Sequence, residues 1–164
     1  MLDKSIEFKR IVMRGERAGM NISPPVLPGG YAFRFYETGD AAHWARIETS
    51  VLEFDSEDDA RRHFAEEFLP HEDELRRRCV FVLRPDGLPI ATATAWFSEE
   101  HPARLHWVAV CPEEQGRGIG KAITLKVLEI FRELAPAEPI WLFTQTWSRV
   151  AVKMYEKLGF RVPH

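Results

Sequence analysis

Gly116, Gly118 and Gly120 stand two residues apart, with Arg117 between the first two and Lys121 directly after the last. Glycines at this spacing let an anion approach the main chain, whose N–H groups can then point at it. Arg117 and Lys121 add positive charge at the same place. The chemistry such a cluster favours is the binding of a phosphate or pyrophosphate. Two common phosphate loops are excluded by spacing. The pattern G-x-x-x-x-G-K-[ST], ending on Gly120 and Lys121, needs Gly at 115 and Ser or Thr at 122, where the chain has Gln115 and Ala122. The pattern G-x-G-x-x-G fails from either start, because Lys121 and Ile123 occupy the last position. What remains is Gln115-Gly116-Arg117-Gly118-Ile119-Gly120, which reads Q-x-x-G-x-G.

The flanking residues must position this loop. LHWVAV, residues 105–110, has the bulky, β-branched and aromatic composition of a strand. On its far side KAITLKVLEIFREL is helical, with Ile123, Val127, Ile130, Phe131 and Leu134 at i, i+4, i+7, i+8 and i+11. A strand, a glycine-rich turn and a helix N-terminus together present unpaired N–H groups and the positive end of a helix dipole. Pro136 and Pro139 end the helix, and IWLFT, residues 140–144, follows as the next strand.

The rest of the chain is read around that unit. SIEFKRIVMR alternates loosely, as a short strand or an arm, and GERAGMNISPPVLPGG is a linker or surface wrap. Residues 1–30 are thus expected to be an N-terminal extension to a core domain of residues 31–164. YAFRFY is a strand; Asp40 or Thr38 caps a helix whose buried stripe is Trp44, Ile47 and Val51. Ser56 caps a second helix, Pro70 interrupts it, and HEDELRRR forms a charged turn or short helix. Two strands, 79–83 and 90–97, make a hairpin around Pro85-Asp86-Gly87. Ser148 caps a last helix that stops at Gly159. This order predicts an α/β fold with a mixed central sheet flanked by helices. The 105–144 piece is expected to form a right-handed parallel crossover.

At 164 residues the chain suits one domain with a real core. A net charge of −3 gives no sign of a nucleic-acid or anionic-membrane partner. No apolar run approaches the ~18 residues of a membrane span, and MLDKSIEFKR lacks a signal-peptide core. Cys79 and Cys111 form neither a metal pair nor a disulfide framework, so no metal and a reducing cytoplasm are expected.

The Q-x-x-G-x-G loop and its preceding apolar strand resemble the acetyl-coenzyme A loop of the GNAT N-acyltransferase superfamily. A second segment, SRVAVKMYEKLGF (residues 148–160), is similar to that family's N-x-x-A-x-x-[LI]-Y-E-K-x-G-F, with Ser148 in place of the usual Asn. The resemblance covers roughly residues 31–160. It implies a GNAT fold whose strand 105–110 splays from strand 140–144, with acetyl-CoA as co-substrate in the gap. By resemblance Val108, Ala109 and Val110 face the pantetheine and thioester. Gln115, Gly116, Arg117, Gly118, Ile119, Gly120 and Lys121 cradle the pyrophosphate, and Ser148 stands beside the cofactor or simply caps its helix. Tyr155 matches the tyrosine that protonates the departing thiolate, a task within reach of a phenol; a core tyrosine on an amphipathic helix is the other reading.

The base is less determined. The Glu that some members carry falls on Arg104. The His of members resembling the arylalkylamine type falls on His106, which suits general-base work but equally a packed sheet position. Strict alternation puts His106 on the face opposite Leu105 and Trp107. Glu53, Glu99, Glu100 and His101 lie in loops that could reach the acceptor. Trp44, Phe54, Trp96, Phe97 and Trp147 are candidates for the acceptor pocket. The function implied is acetyl transfer to a primary amine of a small molecule or peptide by direct attack in a ternary complex. The competing reading is a CoA- or acyl-CoA-binding sensor domain without turnover. Only four residues follow Phe160, where the family usually adds a strand; the sheet edge is then expected to be covered by the N-terminal extension or paired with a second subunit in a homodimer.

Overall fold

A computed structural model describes residues 2–98, 100–135 and 139–163. Glu99, Pro136 and His164, which enter the sequence reading above, lie outside the described residues. Seven strands form one sheet: β1 (Arg10–Gly15), β2 (Ala32–Phe35), β3 (Cys79–Leu83), β4 (Pro89–Trp96), β5 (Arg104–Val110), β6 (Ile140–Gln145) and β7 (Phe160–Arg161). Five helices accompany it: α1 (Ala41–Ser50), α2 (Glu57–Glu67), α3 (Glu72–Arg78), α4 (Ile119–Leu134) and α5 (Arg149–Leu158). The strand order is β2-β3-β4-β5-β6-β1-β7. The pair β5–β6 is parallel and every other pair is antiparallel, as the mixed-sheet reading expects.

The two faces of the sheet are covered differently. Trp44 of α1 meets Trp107, and Phe68 beyond α2 meets Trp96 and His106, so the first two helices cover one face. Phe131 of α4 meets Phe97, and Lys126 lies over Phe33 and Phe35, which puts α4 on the other. Covered on both sides, β3 reads CVFVL without polar alternation, and Cys79 to Val82 are fully buried. Helix α4 buries most of its surface, from Ile119 to Phe131.

Ser56 caps α2 as expected, accepting the Asp59 N–H at 3.1 Å. At α1 the expected cap differs. Asp40 holds the N-cap position, but its carboxylate is engaged by Arg34 at 2.8 and 3.0 Å and by the Glu37 N–H. A bidentate guanidinium is a stronger partner than a single helix N–H.

Two features set the stage for the site. First, β5 and β6 pair only at Arg104–Trp141 and Leu105–Leu142, while β5 runs on to Val110, so the two strands part and leave a gap. Second, the β4–β5 ladder slips between Thr92–Ala109 and Thr94–His106, so that Trp107 and Val108 together oppose Ala93. This is a β-bulge, and Trp107 sits at φ +52°, a conformation that costs a bulky residue roughly 1–3 kcal/mol. The bulge corrects the alternation argument for His106. Its ring lies 5.6 Å from that of Trp107, on the same face.

The segment set apart in the sequence as an extension supplies β1, hydrogen-bonded between β6 and β7. The position beside β6 that a second subunit could have filled is taken by the chain's own N-terminal strand.

Candidate active site

A cavity of about 650 Å³ opens where β5 leaves β6. Its back wall is Val108, Ala109 and Val110, displayed by the bulged strand. One side is the loop into α4, the opposite side is Ser148, Ala151 and Tyr155 of α5, and the rim includes Ser50 to Glu53 at the end of α1.

The loop has the geometry its glycines allow. Gly116 and Gly118 adopt φ +81° and +79°, the left-handed region that L-residues avoid. A Cβ at either position would meet nothing within 4 Å, so conformation rather than crowding selects glycine there. Gly118 is the N-cap of α4, and no side chain caps that end. Its first-turn N–H groups and the helix dipole are thus directed at the cavity beside Lys121, an arrangement that favours an anion. Gln115 plays a different part from the one expected of its N–H. That N–H donates to the Pro112 carbonyl at 3.3 Å, and its Nε2 donates to the Val110 carbonyl at 2.9 Å, tying the loop to the end of β5.

Of the residues singled out in the sequence, Val108, Ala109, Val110, Gln115, Gly116, Gly118, Ile119, Gly120, Lys121, Ser148 and Tyr155 all line this one cavity. Two do not. Arg117 turns away, donating to the Tyr31 hydroxyl at 2.9 Å and pairing with Glu114 at 3.4 Å. His106 is packed among Phe68, Trp96 and Trp107, with Arg104 3.3 Å from its Nε2. Burial, then the charge of Arg104, then that of His63, push its pKa down to about 3, so at neutral pH it is an uncharged and weak base. Ser148 stands at the N-cap of α5 but its hydroxyl caps nothing.

Tyr155 is almost wholly buried, edge-on to Phe160 at 5.9 Å. Burial, and next the carboxyl of Glu48, raise its pKa well above the usual phenol value, so it is a neutral O–H at physiological pH. Trp44, Phe54, Trp96, Phe97 and Trp147, the candidates for the acceptor pocket, are not among the residues that line this cavity. Trp44 is fully buried under α2, and the Trp147 indole donates to the Ile6 carbonyl at 2.9 Å.

Two acids matter more than the sequence suggested. Glu53 lines the cavity mouth and follows Leu52, a non-glycine residue at φ +68°. Its N–H donates to the Glu48 carbonyl at 3.1 Å, which closes α1 and turns the chain toward the cavity. Desolvation by the surrounding protein raises its carboxyl pKa although the side chain still reaches solvent. Glu48 is fully buried, and among the described residues neither carboxyl oxygen has a hydrogen-bond partner. Burial, then Glu53, raise its pKa well above the ordinary range. Its signal in the sequence was an acid next to Ile47 and one turn after Trp44, on the apolar stripe of α1. Glu114, which also lines the cavity, accepts the Tyr31 hydroxyl at 2.6 Å. Among the described residues no cluster of His, Cys, Asp or Glu could hold a metal ion, and no helix is long and apolar enough to cross a membrane.

Comparison with known proteins agrees with this architecture. Residues 41–160 match the Acetyltransferase (GNAT) family. The mycothiol acetyltransferase of Actinosynnema mirum is 30% identical over 158 residues, covering 91% of this chain and 50% of that protein. That of Nocardia farcinica is 28% identical over 167 residues, covering 93% of this chain and 52% of its own. The chain thus spans about half the length of the curated relatives it matches. Among solved structures, a GCN5-related N-acetyltransferase from Sphaerobacter thermophilus superposes with a TM-score of 0.72 at 19% identity, covering 94% of this chain and 48% of that one. With the family match running over most of the domain that carries the cavity, this chain belongs to the GNAT acetyltransferase family.

Proposed function

We propose that this protein transfers an acetyl group from acetyl-CoA to a primary amine, with Glu53 as general base and Tyr155 as general acid. The observation that carries the reading is that one cavity joins the uncapped N-terminus of α4, the parted end of β5, the Tyr155 phenol and the Glu53 carboxylate. The cavity's fit to acetyl-CoA rests on the same features: an anion site at one end and an apolar trough along Val108 to Val110 leading from it. When bound, acetyl-CoA supplies the activated thioester carbonyl. Glu53 at the mouth attracts the ammonium of the acceptor and takes its proton, which frees the nitrogen lone pair. The N–C bond forms, the C–S bond breaks, and the Tyr155 O–H gives its proton to the departing sulfur. The nitrogen sheds its second proton, which restores the phenol, while Glu53 returns the first proton to solvent. The raised pKa of Tyr155 keeps that proton on the phenol until the thiolate develops. Arg104, where some members carry a base, stacks its guanidinium over Phe143 5.1 Å away and lies outside the cavity, consistent with a base elsewhere.

The test is thiol release from acetyl-CoA with a panel of primary amines, for the wild type, Glu53→Gln and Tyr155→Phe. Loss of a positioned acid or base is worth ~10²-fold or more in kcat, and both variants are expected to fall by that order with acetyl-CoA affinity kept. The kcat/KM of the wild type should rise with pH through a carboxyl pKa above the ordinary range, and Glu53→Gln should lose that rise. The other ionisable groups lining the cavity are Glu114, Lys121 and Tyr155, and the buried Glu48 acts electrostatically on Tyr155 and with Glu53. Tight acetyl-CoA binding with no thiol release for any amine would instead favour a binding module on the same fold.

A further inference from the structure

Glu114 carries the wrong charge for its place. It lines the cavity two residues before Gly116, and its side chain is only 6% exposed. The same cavity is made attractive to an anion by Lys121 and the uncapped start of α4. A bare carboxylate in that wall would repel the diphosphate that the loop suits. Nor can the residue swing far. It ends the one-turn 3-10 helix Pro112–Glu114 that links β5 to the glycines, and its N–H donates to the Cys111 carbonyl at 2.9 Å.

Two side chains answer the charge. The Tyr31 hydroxyl donates to Oε2 of Glu114 at 2.6 Å, and a guanidinium nitrogen of Arg117 lies 3.4 Å from the same oxygen. Arg117 also donates to the Tyr31 hydroxyl oxygen at 2.9 Å, so the three groups close a ring. The hydrogen bond to Glu114 raises the pKa of the Tyr31 phenol, which therefore stays a neutral donor. Arg84 also feels the charge of Glu114, but its guanidinium is held by Asp86 at 2.5 and 3.0 Å. Tyr31 reaches this ring from 83 residues away in the chain. Its own N–H donates to the Pro28 carbonyl at 3.1 Å, and the preceding Gly30, at φ +86°, lies so close to Pro85 that a Cβ there would stand 3.0 Å from its ring. The ring is thus a tertiary fastening of the loop.

We propose that Tyr31 and Arg117 are positioning residues for acetyl-CoA, which hold the Glu114 carboxylate and cancel its charge so that the glycine loop offers the diphosphate a positive site. The inference rests on the acetyl-CoA reading of the cavity. It gives Arg117 a part other than that of a phosphate ligand: its charge is directed at Glu114, and the phosphates are left to the loop N–H groups and Lys121.

The experiment is a calorimetric titration with acetyl-CoA. It uses wild type, Tyr31→Phe, Arg117→Gln, Glu114→Gln, and the two double variants that join Glu114→Gln to each of the others. Tyr31→Phe and Arg117→Gln are each expected to bind roughly five- to tenfold more weakly than wild type. In both double variants the affinity should return to that of Glu114→Gln alone, because no charge is left to cancel. If the ring merely stiffens the loop, Glu114→Gln will leave each loss in place or deepen it; that result overturns the inference and leaves the acetyl-CoA reading intact. A loss from Arg117→Gln that is equal with and without the Glu114 carboxylate overturns it as well, and makes Arg117 a ligand of the phosphates. Wild-type affinity in both single variants overturns it too. Failure of the wild type to bind acetyl-CoA overturns both readings.

Discussion

Glu48 is the residue whose environment is hardest to reconcile with a purely structural part. A buried carboxyl with two unpartnered oxygens is costly when charged, so the folded protein holds it protonated. Its pKa is raised on folding, so between the unfolded and folded values the native state binds the extra proton. Stability from this group is then full at or below the ordinary carboxyl pKa and is lost as pH rises through the folded value. Glu48→Gln, which removes the ionisation and keeps the shape, is expected to raise Tm by a few degrees at pH 8 and to leave it nearly unchanged at pH 4. Thermal melts of both proteins across that range would decide it; a variant that melts lower than wild type at pH 8 would show that the charge is stabilised after all. Single residues were legible in proportion to how local their reasons are. Gly116 and Gly118 declare themselves by spacing, because their task is a backbone conformation. Tyr155 is legible through the segment around it. Glu53 was legible only as one of several loop acids and Glu48 not at all, because what distinguishes them from other acids near a helix end is the surface that the rest of the fold brings against them.

At the scale of elements, the site depends on two departures from regular structure that meet at one place. The bulge at Trp107 breaks the alternation of β5, and the left-handed Gly118 starts α4 without a cap. Periodicity assigns β5 and α4 correctly but assumes regularity between them, which is why Trp107 was expected on the face opposite His106. Gly118→Ala tests the loop. A non-glycine residue in the left-handed region costs ~1–2 kcal/mol, and the added methyl would stand in the space before the α4 N-terminus. Gly39→Ala is the matching control, since Gly39 also has positive φ and open surroundings but lies before α1, away from the cavity. Both variants are expected to melt lower by similar amounts, while only Gly118→Ala weakens acetyl-CoA binding in a calorimetric titration. Equal binding by the two would remove the loop from the anion site.

For the whole molecule, the open question is whether residues 1–30 and 31–164 are separable. Local pattern finds a loose alternation followed by a Pro- and Gly-rich stretch and cannot say where in a sheet such a strand inserts, because pairing with β6 joins residues more than 120 apart. The fold argues against separability. Each residue of β1 from Arg10 to Gly15 pairs with β6, and β7 has β1 as its partner in the sheet. Met13 is fully buried, and the residues before β1 continue along β6 through Thr146 and Trp147 until Leu2 reaches the cavity wall. Removing residues 2–16 would uncover an edge of β6, orphan β7 and open a hole at Met13, where loss of a buried methionine alone costs roughly 2–5 kcal/mol. Against a typical total stability of ~5–15 kcal/mol, the truncated chain is expected to lose its cooperative melt and to aggregate in size-exclusion chromatography. A synthetic peptide of residues 2–16, which can add back as a strand, is expected to restore part of the near-ultraviolet circular dichroism. A truncated chain that stays monomeric and melts cooperatively within a few degrees of the wild type would make the N-terminal segment a true extension, and β1 an adornment of a core complete without it.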